Sequence, residues 1–127
     1  MAACDILVVD DNDLIRDILV SVLEAEGWRV RSISCPLRAI EIMTDPGQAC
    51  SVLVTDIDLG EAVDGFAVAA KVRRVSPRQP IVYVTGRPWV FEERFFDEAE
   101  RALAKPFRAE SLLSAIRDIA PCLGAVR

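Results

Sequence analysis

The chain has 127 residues, 52% of them apolar and 28% charged, with a net charge of −5. This is ordinary globular composition, enough for one domain with a real core, and it excludes a disordered or low-complexity chain. The acidic balance, with no Lys/Arg cluster along any predicted helix, argues against a nucleic-acid surface, which needs cations to displace counterions from phosphates.

Short β-like runs alternate with amphipathic helical runs, without an internal repeat or linker, which predicts a parallel sheet with helices on both faces. The first strand is expected over Asp5 to Val9. A helix follows, capped by Asn12 or Asp13 and ending at Gly27, with Leu14, Ile15, Ile18, Leu19, Val22 and Leu23 at one-face spacing. A second strand is expected at about Trp28 to Ile33. Pro36 then opens a helix with Leu37, Ile40 and Met43 on its inner face, ended by the turn Asp45-Pro46-Gly47. The third strand covers Val52 to Thr55 and stops at Asp56. An acidic loop leads through Asp64-Gly65 to a helix carrying Phe66, Ala69, Val72 and Val75. The fourth strand, Ile81 to Val84, reaches Thr85-Gly86. A short helix is expected within Trp89 to Glu100, a brief fifth strand around Ala102 to Ala104, and a last helix over Ala109 to Ala120. These make five β/α units in a single domain spanning residues 1–127.

There is no histidine, and Cys4, Cys35, Cys50 and Cys122 lack CxxC spacing, so a zinc site or a Cys–His pair is nearly excluded. All four cysteines are expected as small thiols in a reducing compartment. No apolar run is long enough to span a membrane and no leader precedes the first strand, so a cytoplasmic protein without membrane contact is expected.

In open parallel sheets, ligands bind beyond the carboxyl ends of the strands. Asp10 and Asp11 follow the first strand, Asp56 the third, Thr85 the fourth and Lys105 the fifth, so all five are expected at one rim. Two carboxylates about 4 Å apart repel by roughly 4 kcal/mol at a near-surface dielectric. A hard divalent cation relieves that cost, and Mg2+ typically takes a few carboxylates plus water and phosphate oxygens. Asp56 is the candidate nucleophile, forming an aspartyl phosphate. The metal and Lys105 would neutralise the phosphoryl oxygens, and the Thr85 hydroxyl would donate to one of them. Taken singly, Asp10-Asp11-Asn12 reads equally well as a helix cap, Thr85-Gly86 as a turn and Lys105 as a solvated cation. Their coincidence at the strand ends favours the functional reading.

The segments "ILVVDDN", "VLVTDIDLG", "DGF", "IVYVTG" and "AKPF" resemble, in order and spacing, the receiver domains of two-component response regulators over essentially the whole chain. The resemblance implies a flavodoxin-like (βα)5 doubly wound parallel sheet with strand order 2-1-3-4-5. It implies that Asp56 accepts phosphate from a phosphohistidine on a sensor histidine kinase or histidine phosphotransfer protein. Mg2+ would be held by Asp11 and Asp56 directly, by Asp10 through water and by the Asp58 backbone carbonyl. Thr85 and Lys105 match the switch hydroxyl and the phosphate-binding lysine, and Lys105-Pro106 a bond that is usually cis in the family. Asp58 and Arg87, two residues beyond Asp56 and Thr85, match positions that tune dephosphorylation, although surface charges are more often neutral.

Three departures from the family stand out. The loop Asp58-Leu59-Gly60-Glu61-Ala62-Val63-Asp64-Gly65 lacks the usual proline and is one residue longer. The stretch from Thr85 to Lys105 is short and carries Arg87-Pro88-Trp89, so the fourth helix is expected to be shortened or irregular. Ala102 stands three residues before Lys105, where the family has a switch aromatic. Phosphorylation chemistry is therefore expected to be intact, with altered coupling to the face formed by the family's fourth helix, fifth strand and fifth helix. Trp89, Phe91, Phe95 and Phe96 are read first as packing onto the sheet and second as a partner-binding patch.

The expected function is a receiver without an output domain: not an enzyme but a phosphoacceptor acting through a downstream protein partner, as a monomer or weak homodimer. One alternative is a small Mg2+-dependent phosphohydrolase with Asp56 as nucleophile and Asp58 as general acid. Another is a degenerate receiver that works without phosphate.

Overall fold

In the computed structural model, which describes residues 4–60 and 63–126, five parallel strands form one sheet in the order β2-β1-β3-β4-β5. The strands are β1 (Cys4–Val9), β2 (Val30–Ile33), β3 (Cys50–Asp56), β4 (Ile81–Thr85) and β5 (Glu100–Ala104). The helices are α1 (Asp13–Glu24), α2 (Pro36–Thr44), α3 (Gly65–Val75), α4 (Ala109–Ile119) and α5 (Pro121–Val126). This is the doubly wound arrangement expected from the sequence. None of the described helices is long and apolar enough to cross a membrane.

Alternation along the strands splits the core into two layers, because successive side chains point to opposite faces. Leu7, Val9, Leu53, Ile81 and Tyr83 face α2 and α3, together with Ala39, Ile42, Phe66, Ala69 and Val72. Ile6, Val8, Val52, Val54, Val82 and Val84 face the other way, onto Leu19 and Leu23 of α1 and Leu112, Ile116 and Ile119 of α4. With both faces covered, the central strands carry uninterrupted apolar stretches, Ile6 to Val9, Val52 to Val54 and Ile81 to Val84, as buried parallel sheets do.

The helix starts follow local chemistry. Asn12 caps α1, its Oδ1 accepting the Ile15 N–H at 3.0 Å, and Asp64 caps α3, its Oδ1 accepting from Ala67 at 2.8 Å. Gly27 turns the chain out of α1 with φ +87°, a left-handed value that favours glycine.

Several expectations are corrected. The apolar stripe of α1 is wider than the core covers: Leu19 and Leu23 are buried, whereas Leu14 and Ile18 are exposed. The inner face of α2 is Pro36, Ala39, Ile42 and Met43, with Leu37 turned to solvent; on α3, Val75 is exposed. The helix expected within Trp89 to Glu100 is a single 3-10 turn, Pro88–Phe91, followed by irregular chain as far as β5. Phe91 and Phe96 still reach the core, packing on one another, with Phe91 on Phe66 and Phe96 on Tyr83. Trp89 and Phe95 remain exposed, so the four aromatics do not form one cluster. The last helix ends at Ile119, and a further short helix follows it.

The four cysteines are not all thiols. Cys4 and Cys50 stand in register at the starts of β1 and β3, Cα atoms 4.6 Å apart, and are joined as a disulfide. Cys35 and Cys122 are free. The bridge lies at the opposite end of these strands from Asp10 and Asp56.

Candidate functional site: an acidic rim with one lysine

The fold delivers the expected side chains to one edge. Asp10 directly follows β1, Asp56 and Thr85 are the last residues of β3 and β4, and Lys105 directly follows β5. Pairing extends to the rim itself: the Lys105 N–H donates to the Thr85 carbonyl at 2.8 Å, and the Ile57 N–H to the Val84 carbonyl at 2.9 Å. The Lys105-Pro106 bond is cis.

Asp10, Asp11 and Asp56 form the acidic cluster, one carboxylate oxygen from each lying within 4.8 Å of the others. Asp10 and Asp56 are buried, and Asp11 is exposed at the mouth. The Lys105 ammonium bridges the two buried members, 3.0 Å from Asp56 Oδ2 and 3.3 Å from Asp10 Oδ2. The remaining oxygens accept backbone N–H groups: Asp56 Oδ1 from Asp58 at 3.1 Å, and Asp10 Oδ1 from Asn12 at 2.9 Å. Burial raises the Asp56 pKa, against the opposing pull of Lys105 and the Asp58 N–H. For Lys105, burial alone would lower the pKa, but the Asp56 and Asp10 carboxylates outweigh it and the value is raised. The lysine is held as a fixed cation against two acids.

Beside this cluster Thr85 is fully buried and its hydroxyl donates to Asp58 Oδ2 at 3.0 Å. The other Asp58 oxygen is paired with the Arg87 guanidinium. The Arg87 hydrogen bond, followed by that of Thr85, outweighs partial burial and keeps the Asp58 pKa low. Asp58 and Arg87 are therefore joined to the site rather than being independent surface charges. In the loop beyond Asp58, Glu61 and Ala62 lie outside the described residues, and with them the expectation for the path of the lengthened loop.

Two glycines with structural roles escaped the sequence reading. Gly60 has φ +69°, and a Cβ there would stand 2.9 Å from Asp11 Oδ2, so the loop closes onto the exposed member of the cluster. Gly65 opens α3 against the end of β3, where a Cβ would meet the Asp56 carbonyl oxygen at 2.3 Å. The sequence carries a signal for Gly65: a poor helix former directly after the cap residue Asp64 marks close backbone approach.

Ala102 pairs in register with Tyr83 on β4. The Tyr83 hydroxyl donates to Glu100, which also faces Arg73. No ring is present at position 102, as the sequence states, and the neighbouring ring belongs to the adjacent strand.

The model of the response regulator receiver domain family matches residues 6–117. The chain is 31% identical over 115 residues to the response regulator protein TmoT of Ectopseudomonas mendocina, covering 88% of this chain and 50% of TmoT. It is 32% identical over 115 residues to the transcriptional regulatory protein SrrA of Staphylococcus aureus, covering 89% of this chain and 46% of SrrA. The chain thus spans half or less of the length of these relatives. Among solved structures, a response regulator receiver protein from Sinorhizobium medicae superposes with a TM-score of 0.78 at 31% identity, covering 92% of this chain and 94% of that one. The receiver domain of NtrX from Brucella abortus superposes with a TM-score of 0.73 at 28% identity, covering 91% and 98%. The fold, the acidic rim and these likenesses agree: the chain belongs to the response regulator receiver domain family.

Proposed function

We propose that this chain is the phosphoacceptor of a two-component or phosphorelay system, with Asp56 as the residue modified. An Asp56 carboxylate oxygen attacks the phosphorus of a phosphohistidine on a sensor kinase or phosphotransfer protein. An O–P bond forms, the P–N bond breaks, and the imidazole leaves with the electron pair. The observation that carries this reading is the Lys105 ammonium held between Asp56 and Asp10 at the edge of a three-carboxylate cluster. Phosphoryl transfer depends chiefly on positioning and charge stabilisation, and this geometry supports both.

The donor set fits a hard divalent cation. Asp10, Asp11 and Asp56 present oxygens within reach of one another, and glycine at position 60 leaves space beside Asp11. Asp11 and Asp56 would hold Mg2+ directly, Asp10 through water, and the Asp58 carbonyl would complete the protein ligands. When bound, the ion supplies positive charge against the phosphoryl oxygens. Lys105 supplies a second, fixed positive charge, and Thr85 lies on the same rim as a hydroxyl donor.

The phosphohydrolase alternative requires Asp58 to be protonated as a general acid. Its pairing with Arg87 and its lowered pKa oppose that role. The signalling effect is assigned to a protein partner, with no nucleic acid or membrane involved, and the unit is taken as a monomer or weak homodimer. Stoichiometric labelling tests the reading. With Mg2+ and acetyl phosphate the chain should take up one phosphoryl group and then stop; continued turnover of an aryl phosphate would support the enzyme instead.

A further inference from the structure

Arg16 is the fourth residue of α1, near the helix start, where the helix dipole opposes positive charge. Its side chain is only 17% exposed, and its guanidinium reaches back along the chain. One amino group donates to the Asp10 carbonyl at 2.8 Å, the other to Asp13 Oδ1 at 2.5 Å. The Asp10 carbonyl belongs to the peptide that joins Asp10 to Asp11, so the arginine grips the link between two members of the acidic cluster. A peptide unit is planar, and holding its oxygen holds the Asp11 Cα in the same plane. Asp10 has further anchors: its N–H donates to the Ile33 carbonyl at 3.2 Å, and its carboxylate accepts from Asn12 and Lys105. Asp11 lies exposed at the mouth. We infer that Arg16 is a positioning residue for the cation site: by holding the Asp10–Asp11 peptide it aims the Asp11 carboxylate at the ion, although its own charge repels that ion. The inference rests on the reading of Asp10, Asp11 and Asp56 as the donor set for a divalent cation.

The two effects of Arg16 on a bound cation have opposite signs. As a charge, the guanidinium repels Mg2+, so its removal alone would tighten binding. As a clamp, it preorganises an exposed ligand, and its removal would weaken binding; losing the outer partner of a metal ligand typically costs about 10–100-fold in affinity. The ion pair with Asp13 contributes little by itself, because the Asp13 side chain is 84% exposed. The clamp therefore resides in the bond to the Asp10 carbonyl, a hydrogen bond from a charged and largely buried donor. A lysine at this position would keep the charge but not the planar fork that meets both acceptors.

The test titrates Mg2+ alone into the full chain, stripped of metal with EDTA, by isothermal calorimetry. Arg16→Met, similar in length and uncharged, should bind Mg2+ about tenfold more weakly than wild type. Arg16→Lys, with the charge but without the fork, should fall between the two. Binding as tight as wild type, or tighter, in either variant would overturn the inference while leaving the donor set standing. In metal-free Arg16→Met the Asp11 backbone 15N resonance should shift, since that nitrogen belongs to the held peptide; an unmoved resonance would also overturn the inference. A general loss of structure is separated by the phosphoryl mimic fluoroberyllate, read by 19F NMR at saturating Mg2+. Arg16→Met should then bind the mimic nearly as well as wild type, because Arg16 acts on Asp11 and not on Asp56. A large loss that persists at saturating metal would make Arg16 a support of the whole rim and overturn its role as a positioner of Asp11. A wild type that takes up no Mg2+ would remove the donor set and the inference together.

Discussion

Gly65→Ala sets two physical effects against each other. Gly65 is the first residue of α3, and replacing glycine by alanine within a helix ordinarily stabilises by about 0.5–1 kcal/mol. Here the new Cβ would stand 2.3 Å from the Asp56 carbonyl oxygen and 2.9 Å from the Ile57 Cα, both backbone atoms. Relief requires the start of α3 and the end of β3 to separate by about 1 Å, and such overpacking costs about 1–3 kcal/mol. Propensity counts for less at the first helical position, so the net effect should be a loss of about 1–2 kcal/mol. With an unfolding entropy of about 2.1 cal/mol/K per residue, the melting temperature should fall by about 4–7 °C. The displaced atoms include the Asp56 carbonyl, so Mg2+-dependent fluoroberyllate affinity should fall as well. Urea denaturation, thermal melting and mimic titration of the same preparations provide the assay. A variant as stable as wild type, or more stable, would refute the close-approach reasoning.

Lys105→Ala leaves Asp10 and Asp56 apposed without their cation; because the lysine is partly solvated, the loss in EDTA should be about 2–3 kcal/mol, and added Mg2+ should restore part of it in urea titrations. Equal stability with and without the lysine in EDTA would contradict the charge balance proposed for the rim. Burial first, and then the Glu100 hydrogen bond, raise the Tyr83 pKa far above its ordinary value. The folded protein therefore holds that proton more tightly than the unfolded chain, and the resulting stability, present below about pH 10, declines as the pH rises further. Tyr83→Phe should cost about 1 kcal/mol at neutral pH and flatten that alkaline decline; a parallel decline in the variant would assign it to other groups. With alanine at position 102, amide shifts on phosphorylation should concentrate near Thr85 and Asp58, and a large rearrangement across β5 and α4 would count against the altered coupling.

The parts of this molecule legible in its sequence are those fixed by local chemistry or by the sheet as a whole. Apolar runs that stop at Asp10, Asp56, Thr85 and Lys105 announce both the strands and the rim, because parallel strands align such endings. The faces of α1 and α2 were less legible. Hydrophobic spacing marks Leu14, Ile18 and Leu37 as inward candidates, but only the packed neighbours decide how wide a stripe is covered. The segment after β4 misled for another reason. Phe91 and Phe96 are five residues apart, a spacing that leaves a helix face but that an irregular chain can fold onto Phe66 and Tyr83. The Cys4–Cys50 pairing is invisible to spacing rules, since it exists only through the register of β1 on β3. The link from Asp58 to Thr85 spans 27 positions and needs two strand ends side by side.

The central claim is that Asp56 is the phosphoacceptor, and intact-mass spectrometry after incubation with acetyl phosphate and Mg2+ tests it most directly. The wild type should gain a single phosphoryl group, lost when the metal is chelated before the donor is added, and Asp56→Asn should gain none. Labelling of Asp56→Asn to the wild-type extent, or a wild type that remains unmodified with Mg2+ present, would contradict the account.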